Sequence, residues 1–321
     1  MHSTLSCLLH PGTGGIVDDT VITRVGREKF YLVTNAACRD KDLAYLEKFG
    51  AHQDEGIHWE VLEGHGLVAL QGPLSADILQ NALRGIVHQD EKESDLKSLY
   101  FGECAQLRLN LPSSAAEILI SRGGYTGEDG FEISIKPNST EEFTNHLLKS
   151  AGPDKLRLAG LGARDSLRLE AGMCLYGHDI DDSTTPVEAG LSWIVHKDRR
   201  TYGGFYGDEV ILRQLRPAKE GGGVSRRRVG LVVDGAPARE GADILGTIEG
   251  REEKVIGKVT SGCPSPTLGR NIAMGYVESG HHKAGTEVGV LVRGKRRNAT
   301  VTKMPFVQSR YWKRAAGTAP G

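Results

Sequence analysis

Nowhere is this sequence apolar over anything like the roughly 18 residues that a membrane-crossing helix requires. It also lacks a CxxC pair: Cys7, Cys38, Cys104, Cys174 and Cys263 are scattered, and His178, close after Cys174, has no second pair to complete a metal site. That usage argues against zinc and for a reduced compartment. Charge of one sign is missing as well, with Lys+Arg 40 against Asp+Glu 41 and a net charge of -1, so no global field draws the chain to nucleic acid or an anionic membrane. The N-terminus shows neither a charged segment followed by an apolar one nor an Arg-rich amphipathic presequence, and so no visible address.

What is present is the composition of an ordinary globular protein, 321 residues with 39% hydrophobic and 25% charged, enough for two or three domains. Glycine, at 42 residues, is about twice as frequent as usual, which fits many tight turns between short strands. Ser121 to Ile135 organises the reading. Ile118-Leu119-Ile120 before it and the alternation Phe131, Ile133, Ile135 after it read as two strands presenting one loop, with Gly123, Gly124, Gly127 and Gly130 around Tyr125, Glu128 and Asp129. Glu132 falls on the strand face opposite Phe131 and Ile133, where it is an acceptor-only carboxylate on rigid backbone. By itself such a loop also describes a solvated turn.

From the start of the chain, Gly14-Gly15 opens a strand in which Asp18 and Asp19 each sit within an apolar series. On spacing alone both aspartates read as solvated strand-end residues; a buried one needs a hydrogen-bonding or cationic partner. Phe30 to Thr34 makes a hairpin with this strand and Asn35 ends it. A helix is predicted from about Lys41 to Phe49, with Leu43, Leu46 and Phe49 or Tyr45 inward. Gly66 to Pro73 reads as a buried strand, Ser75 to Leu83 as a helix and Gln89 to Lys97 as an exposed connection. Ser139 to Glu142 reads as a capping box for a helix burying Phe143, Leu147 and Leu148. A helix from Leu161 to Ala171 puts Arg164 and Arg168 on one face, where most arginines are solvent cover. Arg213 to Arg226, with Gly221-Gly222-Gly223, reads as a linker, and Arg199, Arg200 and Arg226 to Arg228 as solvated charge or a surface for an acidic carrier protein. From Arg227 to Lys313 short strands without a helix argue for a small all-β barrel or sandwich, followed by a fraying tail from Arg314 to Gly321.

Taken together, nine ordered motifs carry a resemblance. They are Gly14-Gly-Ile-Val-Asp-Asp19, Gly124-Tyr-Thr-Gly-Glu-Asp-Gly130, Ala163-Arg-Asp-Ser-Leu-Arg-Leu-Glu170, Thr185-Pro-Val-Glu188, Leu191-Ser-Trp193, Arg227-Arg-Val-Gly230, Thr260-Ser-Gly-Cys-Pro-Ser-Pro266, Ala273-Met-Gly-Tyr-Val277 and Lys303-Met-Pro-Phe306. In this order they closely resemble the T-protein (aminomethyltransferase) family of the glycine cleavage system. The resemblance implies an α+β fold: mixed α/β folate-binding domains over residues 1–212, a linker over 213–226 and a C-terminal β-barrel over 227–313. It implies an enzyme that takes the aminomethyl group from a lipoylated H-protein, releases ammonia and passes the one-carbon unit to tetrahydrofolate in the mitochondrial matrix, without a metal.

Residue by residue, Asp19 matches the family's key carboxylate, Glu132 and Arg164 match residues that hold the pterin, Asn35 and Tyr125 line the same cavity, and Tyr311 lies near the folate tail. The family carries a sizeable segment ahead of its first Gly-Gly strand, so the resemblance also implies a chain truncated at its N-terminus, with a first region missing strands. Flavin-linked dimethylglycine and sarcosine dehydrogenases share this folate-binding fold but need an attached nucleotide-binding domain with G-x-G-x-x-G, which is missing here. A folate-dependent iron–sulfur maintenance protein carries a cysteine-bearing motif where this chain has Gly124 to Gly130. A non-catalytic folate or H-protein binder is the remaining alternative.

Overall fold

The computed structural model describes residues 1–49, 56–88, 95–248 and 252–315. Two antiparallel sheets with their helices precede a closed barrel. The first sheet is β1 (His2–Leu9), β2 (Ile16–Arg24) and β3 (Phe30–Val33), with β2 in the middle. β1 occupies the segment ahead of Gly14, for which the sequence offers no periodic signal, and it sets Cys7 opposite Asp19 and Leu8 opposite Asp18. α1 (Arg39–Phe49) leans on β2. Leu43, Tyr45, Leu46 and Phe49 are only half-buried on it; its buried residue is Asp42. The reason lies in its composition, because a helix reading RDKDLAYLEKF has too narrow an apolar stripe to dictate which side faces in.

The second sheet is formed by β4 (Gly66–Gln71), β5 (Cys104–Asn110), β6 (Ala115–Arg122) and β7 (Gly130–Ile135), ordered β4-β7-β6-β5. One face packs on α2 (Ser75–Leu83) and α3 (Pro137–Ala151), around Leu79, Leu109, Ile118, Ile120, Phe131, Ile133 and Phe143. Each such side chain contributes about 1.5–3 kcal/mol on burial, which makes this the main core of the N-terminal part. β4 is not the buried strand expected: as an edge strand with one covered face it alternates, and Leu67 is 44% exposed. The capping box is also corrected. α3 begins at Pro137, whose fixed φ suits the first helical position, so Ser139 is already inside the helix and bonds to Ser114, while Glu142 accepts from the Ser113 amide at 2.7 Å. Of the connection predicted at Gln89 to Lys97, residues 89–94 lie outside the described residues, and Leu96 is buried.

α4 (Leu161–Glu170), α5 (Lys197–Tyr202) and α6 (Asp208–Leu215) then lead to the barrel. Its strands are β8 (Arg226–Val233), β9 (Asp243–Ile248), β10 (Glu252–Ser265), β11 (Arg270–Glu278), β12 (Glu287–Val292) and β13 (Lys295–Thr302), closed in the order β10-β11-β8-β13-β12-β9. Alternating Val229, Leu231 and Val233 with Val288, Val290 and Val301 fill its interior, and closure leaves no free edge. Of the predicted tail, residues 316–321 lie outside the described residues.

α4 joins the two parts. Arg168 is 3% exposed, not the solvent cover expected of it. It donates to Asp179 at 2.6 Å, to Asp165 at 2.8 Å and to Ser261 of β10 at 2.9 Å. Glu170 accepts from Ser265 at 2.5 Å and from the Thr267 hydroxyl at 2.7 Å. Arg228 is no surface charge either: it donates to the carbonyls of Ala189 and Gly172, while Arg226 pairs with Glu188 at 3.1 Å.

Candidate functional site

β2 delivers the two aspartates. Asp18 is wholly buried, against the reading of a solvated strand end, and its partner is Asn35 just beyond β3. The Asn35 backbone N–H donates to Asp18 Oδ2 at 2.8 Å, and its side-chain Nδ2 donates to Asp18 Oδ1 and Asp19 Oδ1, each at 2.9 Å. One amide therefore fixes both carboxylates. Asp19 lies half-buried; burial first, and the charge of Asp18 next, push its carboxyl up to about 6, against the pull of the Asn35 hydrogen bond.

The loop between β6 and β7 is locked by two devices. Arg122 grips Asp129 through two bonds, at 2.9 and 2.5 Å. Gln71 threads its side chain between Gly124 and Gly130, donating to the Gly123 carbonyl at 3.0 Å and accepting from Thr126 at 3.0 Å. A Cβ on Gly124 would stand 1.9 Å from Gln71 Oε1, so a larger residue there would push the Gln71 amide off its bonds to Gly123 and Thr126. Tyr125 projects from the fixed loop, and its hydroxyl donates to the Cys174 carbonyl. Burial raises the phenol, and the charge of Asp19 is among the groups acting on it.

Arg164, on the exposed part of α4, lies over the Tyr125 ring at 4.9 Å. It is also the cation that draws down the Glu132 carboxyl, which burial raises by a larger effect. Among the described residues no hydrogen-bond donor reaches the Glu132 carboxylate. Cross-strand pairing with Ala69 and Ser121 holds its backbone on the sheet face away from the helices. Arg164 thus touches Tyr125, charge acts between Asp19 and Tyr125 and between Arg164 and Glu132, and Asn35 stands behind Asp19.

Tyr311 joins at one remove. Its ring packs on Phe101 at 4.2 Å, and Phe101 reaches Gly123 at the base of the loop. The same C-terminal segment donates from the Arg310 amide to the Gly127 carbonyl at 2.8 Å. Three contributors went unseen in the sequence: Cys7, brought beside Asp19 by β1; Cys174, under Tyr125; and Asp42. Burial pushes the Cys174 thiol up to about 12 and raises Cys7 too, so both are apolar walls rather than nucleophiles. Nothing in their sequence context marks them, since chain pairing alone brings them here. Among the described residues no group of His, Cys, Asp and Glu could hold a metal ion.

Comparison with known proteins agrees in extent. Residues 2–199 match the family model described as the GCVT N-terminal domain, and residues 226–308 match the glycine cleavage T-protein C-terminal barrel domain. The chain is 46% identical over 312 residues to a probable mitochondrial aminomethyltransferase of Schizosaccharomyces pombe, covering 97% of this chain and 74% of that protein. It is 49% identical over 304 residues to the mitochondrial aminomethyltransferase of Pisum sativum, covering 94% and 69%. The crystal structure of the glycine cleavage system aminomethyltransferase T from Bartonella henselae superposes with a TM-score of 0.80 at 38% identity, over 97% of this chain and 78% of that one.

Proposed function

The chain belongs to the aminomethyltransferase (T-protein) family of the glycine cleavage system, and from that membership we propose that it moves the aminomethyl group of a lipoylated H-protein to tetrahydrofolate with release of ammonia, in the mitochondrial matrix. The observation that carries this reading is the linkage of Asp19, Tyr125, Arg164 and Glu132 by contact and charge. The fit of the co-substrate rests on Glu132. A half-buried carboxylate without a donor among the described residues is matched by a ring edge presenting adjacent N–H groups, which an ionised carboxylate accepts as a charge-assisted pair.

Tetrahydrofolate, when bound, supplies the amine nitrogens that take up the one-carbon unit. Glu132 would read the ring edge, and Arg164, planar and always charged, would balance Glu132 or donate to a ring carbonyl. Tyr125 holds Arg164 over its ring. Departure of ammonia from the aminomethyl sulfide leaves an electron-poor carbon, and the fixed carboxylate of Asp19 would stabilise that positive charge. Asn35 holds Asp19 in one orientation before substrate arrives, so no reorganisation is needed at the moment of reaction. Asp19 acts here as an electrostatic and orienting group rather than a proton shuttle. Tyr311 and Phe101 would flank the folate tail.

The test is calorimetric titration with tetrahydrofolate followed by a methylene-transfer assay with loaded H-protein. Binding heat together with turnover supports the transferase; heat without turnover identifies a binding homologue instead.

A further inference from the structure

Asp42 is the one fully buried residue of α1, and it carries a carboxyl group. It is 2% exposed, and neither of its oxygens has a hydrogen-bond partner among the described residues. Such a group is expensive to leave unmade. Its neighbour across the α1–β2 packing is Asp18, within hydrogen-bonding reach. Asp18 already accepts two N–H bonds from Asn35, whereas among the described residues no donor, Thr34 included, completes a bond of ordinary geometry to Asp42. Two carboxylates cannot bond to each other, but a carboxylic acid and a carboxylate can. A proton on Asp42 turns it into the donor that the site lacks, and satisfies both groups at once.

We propose that Asp42 is a positioning residue of the transfer site: kept as the neutral acid, it donates to Asp18, and the chain Asp42–Asp18–Asn35–Asp19 thereby aims the reactive carboxylate from behind. The inference rests on the role assigned above to Asp19. The groups that face Asp42 are Asp18 from β2, Cys38 and Thr34 from the segment between β3 and α1, and Lys41 from its own helix. Lys41 is turned to Tyr176 and to Asp182, the latter at 3.1 Å, so it lowers the cost of a charge on Asp42 without completing a hydrogen bond to it. Burial, then the charge of Asp18, push the Asp42 carboxyl up to about 7, while Asp19 is pushed only to about 6. Turnover therefore rises as Asp19 ionises and falls at higher pH as Asp42 loses its proton, when two adjacent buried anions repel and Asn35 is released.

The experiment compares wild type, Asp42→Asn and Asp42→Leu in kcat and KM for tetrahydrofolate across pH, with infrared detection of a protonated carboxyl below the alkaline transition. Asn donates to Asp18 but cannot ionise; Leu does neither. The expected results are a loss of about tenfold in kcat for Asp42→Leu with KM nearly unchanged, rescue of most of that loss by Asp42→Asn, disappearance of the alkaline fall in Asp42→Asn, and loss in both variants of the protonated-carboxyl band that titrates with the alkaline limb, the Asp19 band at lower pH remaining. A folded Asp42→Leu enzyme with wild-type kcat, an unchanged alkaline limb in Asp42→Asn, or survival in Asp42→Asn of the band that titrates with the alkaline limb overturns the proposal. Should Asp42→Leu fail to fold, the limb and the band in Asp42→Asn decide it. Asp19→Asn is run alongside: retained turnover there defeats the assignment of Asp19, whereas the infrared band tests the proton on Asp42 independently of any activity.

Discussion

Replacing Asp19 by Asn is the sharpest probe of the transfer chemistry. The substitution keeps the shape and the acceptor oxygen that Asn35 addresses, and removes only the charge. Its effect is calculable in order of magnitude. The pocket raises the Asp19 carboxyl from 3.8 to about 6, so it disfavours the lone anion by about 3 kcal/mol at roughly 1.36 kcal/mol per unit. A positive carbon forming opposite it relieves that penalty, and at about 4 Å and an effective dielectric near 20 the attraction is itself about 4 kcal/mol. Losing about 3–4 kcal/mol from the transition state lowers kcat by about two to three decades.

Calorimetry should show tetrahydrofolate affinity within a few-fold of wild type, because Glu132 and Arg164 are untouched, while methylene transfer from loaded H-protein collapses. Wild-type kcat/KM should rise with pH through about 6, where Asp19 becomes anionic, and the variant should lack that limb. The stability sign is opposite: a carboxyl raised in the fold binds its proton more tightly in the native state, so its contribution is lost as pH rises from 3.8 to about 6. Near wild-type turnover by a folate-competent Asp19→Asn enzyme would refute the electrostatic argument.

Three further outcomes follow from the geometry. Glu132→Gln should weaken tetrahydrofolate binding by about 10–100-fold, as expected when a charge-assisted pair worth roughly 1.5–3 kcal/mol becomes neutral, measurable by titration with no change in melting temperature. Arg168→Leu leaves the wholly buried Asp179 without its cation and should destabilise the fold by about 3–5 kcal/mol in denaturant titration; a loss under about 1 kcal/mol would show that Ser261 and Thr260 suffice to satisfy Asp179. Gly124→Ala puts a methyl into Gln71 and should lower both stability and folate affinity, with partial recovery of folate binding in the Gly124→Ala, Gln71→Ala double variant.

Residues governed by period were legible in the sequence, and residues governed by pairing were not. Glu132 could be put on the open face of β7 because Phe131, Ile133 and Ile135 declare a two-residue alternation. The C-terminal part was legible as all-β from short strands without a helix, and closure into a barrel rather than a sandwich was decided by strand pairing. Asp18 and Asp19 could not be ranked, since which of two adjacent carboxylates is buried depends on β1, a strand with no alternating signal. Arg164 and Arg168 occupy the same helical face at the same spacing, yet one lies over Tyr125 and the other bonds to the barrel, a difference that tertiary packing alone decides. At α3 the helix starts at Pro137 rather than at Ser139, because the ring fixes φ and removes a donor that would otherwise go unpaired. The assignment of Asp19, Asn35, Tyr125, Glu132, Arg164 and Tyr311 to ligand and chemistry remains the proposal that these experiments address.

α4 spans the two halves of the protein as a rod clamped at one end. Glu170 is seated in the barrel by Ser265 and Thr267, and Arg164 rides at the other end above Tyr125. Inherited or engineered lesions around residues 265–267, remote from any reacting atom, would therefore tilt the rod and read out as poor vitamin affinity, so that a defect mapped to the barrel surfaces biochemically in the other domain.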